Sequence, residues 1–201
     1  IISTDKNISG LEAGTYELIV TDAEGCKSPP ETVVIGQPKD FVIDVLKQNV
    51  TCYGTATGSI EVTVVSGGTP NYDYKWTGPN GFTGTGSEIT GLFAGTYNLT
   101  ITDAKGCPAN ESVTITEPPI LTANIDDQVL CEGDSVQLTG TASGGTGSYT
   151  HSWSGEGAIY LDNDSTDTVL FGGAPAKIYE LTYTVTDSVN CIASDTAIIE
   201  V

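Results

Sequence analysis

The sequence predicts an all-β protein made of tandem antiparallel β-sandwiches stacked end to end. Alternation, turn chemistry and internal repetition each point there. Ile60, Val62 and Val64 fall on one side of a run whose other side carries Glu61, Thr63 and Val65, the period-two pattern of a strand with one buried face. The 24 glycines and the abundant threonine and valine suit strands and tight turns, and no stretch sustains a helical period. Finally, GLEAGTYELIVTDAEGC, from Gly10 to Cys26, returns 81 positions later as GLFAGTYNLTITDAKGC, from Gly91 to Cys107, with 12 of 17 residues identical. A period of that length is one small domain with a modest core.

Further echoes set the unit boundaries. Ser66-Gly67-Gly68-Thr69 leads to Tyr72, Trp76 and Gly78, as Ser143-Gly144-Gly145-Thr146 leads to Tyr149, Trp153 and Gly155. The turn from Asp22 to Cys26, copied from Asp103 to Cys107, returns from Asp187 to Cys191. Three units follow, over residues 1–39, 40–118 and 119–201. Gln37-Pro38-Lys39-Asp40 and Glu117-Pro118-Pro119 lie at the joins, where proline stops a strand and stiffens a linker. The first unit reads as the C-terminal half of a repeat with an exposed apolar face, so the chain is expected to be an excerpt of a longer one.

In order along the chain, Tyr16 and its copy Tyr97 are expected at the entry to the next-to-last strand. There a tyrosine hydroxyl ties back to nearby backbone, and Tyr179 is the counterpart in the third unit. Leu99 and Ile101 alternate with Asn98, Thr100 and Thr102, and Val113 to Thr116 continue the pattern. Trp76 and Trp153 each stand on a third strand and fill the space between two sheets, as an immunoglobulin-like or PKD-like sandwich requires. Asp22, Asp103 and Asp187 open turns and cap turn amides. His151, between Thr150 and Ser152, is a half-exposed strand residue.

Charge narrows the function classes. The chain holds 26 acidic and 7 basic residues, every basic one a lysine, for a net charge of −19. Without arginine there is no fork for phosphate or base edges, and nucleic acid and anionic membranes repel such a surface. No membrane insertion is expected. Residues 119–201 concentrate the charge, with twelve acids against Lys177. Within them Asp162-Asn163-Asp164 and Asp167 offer hard oxygen ligands for calcium, with Asp126-Asp127 a second candidate. The other reading of the same acids is a solvated loop.

Five cysteines lie at unit edges. Cys26, Cys107 and Cys191 follow a sixth strand, and Cys52 and Cys131 precede a second strand. Without a CxxC pair or a second histidine, disulfides in an oxidising location are favoured over zinc. A bond inside one sandwich would join residues displaced toward opposite ends, beyond the roughly 7 Å between Cα atoms that a disulfide allows. Stacked units instead bring the corner after the first strand of one unit to the late turn of the next. That pairs Cys52 with Cys191, and leaves Cys26, Cys107 and Cys131 to partners outside the chain. The rival scheme pairs Cys52 with Cys107 and Cys131 with Cys191.

The residues GSIEVTVVSGGTPNYDYKW, GLFAGTYNLTITDAKGC and the closing TITEP resemble the SprB repeat of gliding-motility adhesins, fully over 40–118 and as a half over 1–38. Residues 119–201, with YELTYTVTDSVNC, are similar to PKD-like and immunoglobulin-like domains that accompany such repeats. The resemblance implies a large extracellular, cell-surface protein exported by type IX secretion and acting in attachment or gliding. It also implies O-glycan acceptors at triplets such as Asp134-Ser135-Val136 and Asp195-Thr196-Ala197. Its partners would be neighbouring repeats of the same chain, further copies in an appendage, and a surface glycan or substratum reached through other parts. No catalytic residue is implied, and GxSxG, HExxH and phosphate-loop motifs are missing from the sequence. Two functions are carried forward. One is a stalk and spacer of an adhesin; the other is an accessory carbohydrate- or protein-binding module of a secreted depolymerase.

Overall fold

The computed structural model describes residues 5–37 and 39–201, so Pro38 of the first join lies outside the described residues. Among the described residues there is no α-helix, and two single 3-10 turns occur at Pro79–Gly81 and Glu156–Tyr160. The all-β expectation holds.

The first unit is a hairpin. Strands β1 (Gly14–Leu18) and β2 (Glu31–Ile35) pair antiparallel, with Tyr16 opposite Val33. None of its described residues is buried. Val33 is 50% exposed and Leu18 55%, and an open groove of about 530 Å³ runs along Ile8, Leu11, Tyr16, Leu18 and Ile35. Tyr16 thus keeps its hydroxyl bond, donated to the Glu12 carbonyl at 2.8 Å, while being only partly covered.

The second unit is a full sandwich of β3 (Val42–Gln48), β4 (Gly58–Ser66), β5 (Asp73–Thr77), β6 (Thr83–Thr85), β7 (Glu88–Leu92), β8 (Gly95–Thr102) and β9 (Pro108–Ile115). One sheet runs β3-β4-β7 and the other β6-β5-β8-β9. The alternation read in β4 places Ile60 and Val62 inward at 0% and 2% exposure, against Trp76, Leu99, Ile101 and Ile115 from the facing sheet. Trp76 is buried, and its Nε1–H donates to the Gly86 carbonyl at 3.0 Å. Burying an indole without that partner would leave a polar group unsatisfied. Tyr97 is buried as well, with its hydroxyl on the Phe93 carbonyl at 3.0 Å.

The third unit contains β10 (Thr122–Asn124), β11 (Gln128–Val129), β12 (Ser135–Thr139), β13 (Thr141–Ser143), β14 (Tyr149–Ser154), β15 (Thr168–Gly172), β16 (Ile178–Asp187) and β17 (Ile192–Glu200). Its first strand changes sheets. β10 pairs antiparallel with β13, while β11 pairs parallel with β17 in the sheet β11-β17-β16-β14. Two carboxylates secure the crossing: Asp195 accepts the Ile125 amide at 3.0 Å, and Asp127 accepts the Ile198 amide at 2.7 Å. Trp153 is buried and donates Nε1–H to the Thr166 carbonyl at 2.7 Å; Tyr179 donates to the Pro175 carbonyl at 3.0 Å. His151 faces the buried Tyr183, Nδ1 to Oη 2.7 Å, and stacks on its ring.

Candidate functional site: a covalent junction between units

The site is assembled from two turns. The late turn of each unit is shaped by its aspartate. In the second unit Asp103 accepts the Cys107 and Lys105 amides on one oxygen, at 2.8 and 2.9 Å, and the Thr69 amide on the other, at 2.8 Å. In the third unit Asp187 takes the Cys191 and Val189 amides at 2.9 and 3.0 Å and the Thr146 amide at 2.8 Å. One carboxylate therefore closes its own turn and clamps it to the turn after the second strand. Asp22 closes only its own turn, with Cys26 and Glu24 at 2.8 and 3.1 Å. The Cys107 and Thr69 amides hold the Asp103 carboxyl below the usual carboxylate range. Burial works against ionisation of Asp187, yet the Cys191, Thr146 and Val189 amides outweigh it and lower its carboxyl too.

This clamp puts the late turn and the Ser-Gly-Gly-Thr turn at the entry end of the second and third units. The incoming linker lies on them: Gly68 N–H donates to the Lys39 carbonyl at 3.3 Å, and Gly145 N–H to the Pro119 carbonyl at 2.9 Å. Glycine is required there. Gly144 has φ +79, and a Cβ on it would overlap the Ile120 carbonyl; on Gly67 it would overlap that of Asp40.

The exit end of the second unit is built by its first corner. Val50 N–H donates to the Thr116 carbonyl at 3.0 Å, and Asn49 accepts the Thr116 amide at 3.1 Å. Glu117 accepts the Gly54 amide at 2.7 Å, fixing the Cys52-Tyr53-Gly54-Thr55 turn beside the exit. Cys52 at that exit end meets Cys191 at the entry end of the third unit. The two are joined by a disulfide with Cα atoms 5.7 Å apart and a sequence separation of 139. A groove of about 480 Å³ at the seam is lined by Tyr53, Pro118, Ile120, Leu121, Gly145 and Ile192.

The remaining cysteines carry matching turns. Asp103 N–H to Cys107 O is 3.0 Å, and Asp22 N–H to Cys26 O is 3.0 Å, as for Asp187 and Cys191. Asp134 N–H to Cys131 O is 3.1 Å, as for Thr55 and Cys52. Cys26 and Cys131 are exposed thiols and Cys107 is half-buried. The structure therefore has neither a Cys52–Cys107 nor a Cys131–Cys191 bond.

The acidic loop gives a different outcome. Asp162 accepts the Leu170 amide at 2.8 Å, and Asn163 accepts the Ser165 amide at 2.8 Å. The Asp167 carbonyl receives the Gly140 amide at 2.8 Å, and the Asp164 carbonyl the Trp153 amide at 2.9 Å. Asp127 is engaged by Ile198. Among the described residues no group of three or more His, Cys, Asp or Glu side chains could hold a metal ion. Asp162, Asp164 and Asp167 are not gathered into such a group. Glu117 and the threonine amides of the entry turns were not singled out by sequence reasoning. The recurring Gly-Gly-Thr spelling was the only signal for the threonines, and the proline that follows Glu117 the only one for that residue.

Residues 47–81 match the family model described as the SprB repeat. The matched residues lie within the second unit. The matched SprB segment covers the Cys52 corner, β4, the Ser66–Thr69 turn and Trp76. No curated protein sequence matches the chain. Among solved structures, a Dscam structure concerned with isoform specificity is similar at 13% identity and a TM-score of 0.34, covering 92% of this chain and 54% of that one. The C-terminal 282-residue fragment of intimin, in complex with the Tir intimin-binding domain, gives 16% and 0.38, over 80% of this chain and 63% of that one. Domains 1–6 of the surface layer protein SbsC give 12% and 0.39, over 96% and 36%. The chain spans about half the length of the Dscam structures it matches.

Proposed function

We propose that this chain is a non-catalytic segment of a cell-surface adhesin-type repeat protein, acting as a stalk that spaces an adhesive part from the cell. The observation that carries this reading is the Cys52–Cys191 bond across the junction of two sandwiches. A bond there stops adjacent units from hinging about the Glu117-Pro118-Pro119 linker, which serves a spacer. The SprB repeat match supports the same reading. Export by type IX secretion and a task in attachment or gliding belong to this proposal. So does an extracellular location, where a disulfide persists. Among the described residues no helix is long and apolar enough to cross a membrane.

The accessory-module reading needs exposed aromatics on which sugars stack. Trp76 and Trp153 are buried with their indole N–H groups satisfied, so neither is such a platform, which leaves that reading Tyr53 and Phe93, 53% and 48% exposed. Small-angle scattering on the 201-residue chain tests the proposal. A stalk keeps one elongated profile with the bridge intact and gains a broader distance distribution on reduction. A compact, redox-insensitive profile, or saturable binding on a glycan array, would remove it.

A further inference from the structure

The place of the bridge in the topology has a mechanical consequence beyond stiffness. Tension entering from the first unit reaches Lys39 and runs down β3, which starts at the entry end of the second unit and finishes near the Cys52 corner at its exit. From Cys52 the covalent path crosses to Cys191 and continues directly into β17. β17 leaves the entry end of the third unit and reaches its far end, where Val201 N–H donates to the Lys177 carbonyl at 3.0 Å. The path from Lys39 to Val201 thus consists of two extended strands, the short corner of residues 49–51 and one S–S bond. Strands β4 to β16, with most of both cores, hang off it as a closed side loop.

The geometry points to a force shunt: the Cys52–Cys191 bond makes the two-sandwich module nearly inextensible by routing tension through β3 and β17 alone. Both strands are already at close to full extension, so pulling has little slack to recover. Hydrogen bonds between strands do not have to resist the load, because the strands that would be sheared apart lie inside the loop. Without the bridge the same tension passes through every strand in turn, and each sandwich can unravel. The loop withholds a sequence separation of 139, which at about 3.3–3.6 Å per residue is roughly 460–500 Å of contour. The inference deepens the stalk reading and rests on it only in supposing that tension reaches the chain ends.

Single-molecule stretching of the full chain, held by handles at both ends, tests the shunt. Cys26, Cys107 and Cys131 are replaced by serine throughout to prevent stray bonds. With the bridge intact, we expect no release of length from the second and third units. After reduction in place, and in Cys191→Ser, we expect one or two added steps totalling roughly 460–500 Å. Reduction in place uses the already folded molecule, so the comparison holds even if the variant folds poorly. Release of that length by the bridged chain would overturn the inference, and so would its absence after reduction. The scattering profile is a separate readout, so failure of the shunt and failure of the stalk reading are told apart.

Discussion

At the residue scale, Asp103 and Asp187 decide the shape of the junction. Each carboxylate has its folded value lowered by backbone amides. A carboxyl lowered on folding contributes stability that is fully present above its ordinary value. That stability is lost as pH falls through the lowered folded value. Acid unfolding of the chain should therefore steepen below about pH 4, the ordinary carboxylate range. Denaturant midpoints measured across that range should fall less steeply for the Asp103→Asn, Asp187→Asn double variant. An unchanged slope would show that the clamp contributes nothing. Glycine supplies a second prediction at this scale. Gly144→Ala should lower the melting temperature by far more than Gly173→Ala. Both positions have positive φ, but only Gly144 would drive a Cβ into backbone, whereas Gly173 faces open space. For Gly173→Ala the left-handed backbone alone costs about 1–2 kcal/mol.

At the element scale, strands were legible wherever one face is buried and the other wet. The alternation Ile60-Glu61-Val62 maps onto the inward and outward faces of β4, and Trp76 is the indole between sheets that its spacing indicated. What was not legible depends on contacts distant in sequence. Nothing local in Thr69 or Thr146 indicates that its amide reaches an aspartate 34 or 41 residues on. The split first strand of the third unit was hidden because β10 and β11 hold three and two residues, too few for a period. In the acid-rich stretch from Asp162 to Asp167, Asp162 and Asn163 each give a side-chain oxygen to a nearby amide, of Leu170 and Ser165, which the spacing of the acids does not reveal. The strand assignments carry their own energetic test. Leu99 and Leu181, at 1% and 0% exposure, lie in separate cores. Leucine-to-alanine changes at either should cost about 2–5 kcal/mol, and calorimetry should show each shifting the transition of its own unit.

At the scale of the whole molecule, two cores are joined by a short linker and one bond that spans nearly all of both units. Closing a loop with a sequence separation of 139 restricts the unfolded chain by roughly 5 kcal/mol in the entropy model. Cys52→Ser should thus lower the denaturant midpoint of the second and third units and separate their transitions, a change read by two probes in one titration. The claim beneath all of this is that Cys52 bonds to Cys191 and to no cysteine of its own unit. Peptide mapping of the oxidised chain, with free thiols blocked before digestion, tests it most directly. A Cys52–Cys191 peptide pair that disappears on reduction is the expected result; a Cys52–Cys107 pair, or a Cys131–Cys191 pair, would contradict the junction and the stalk built on it.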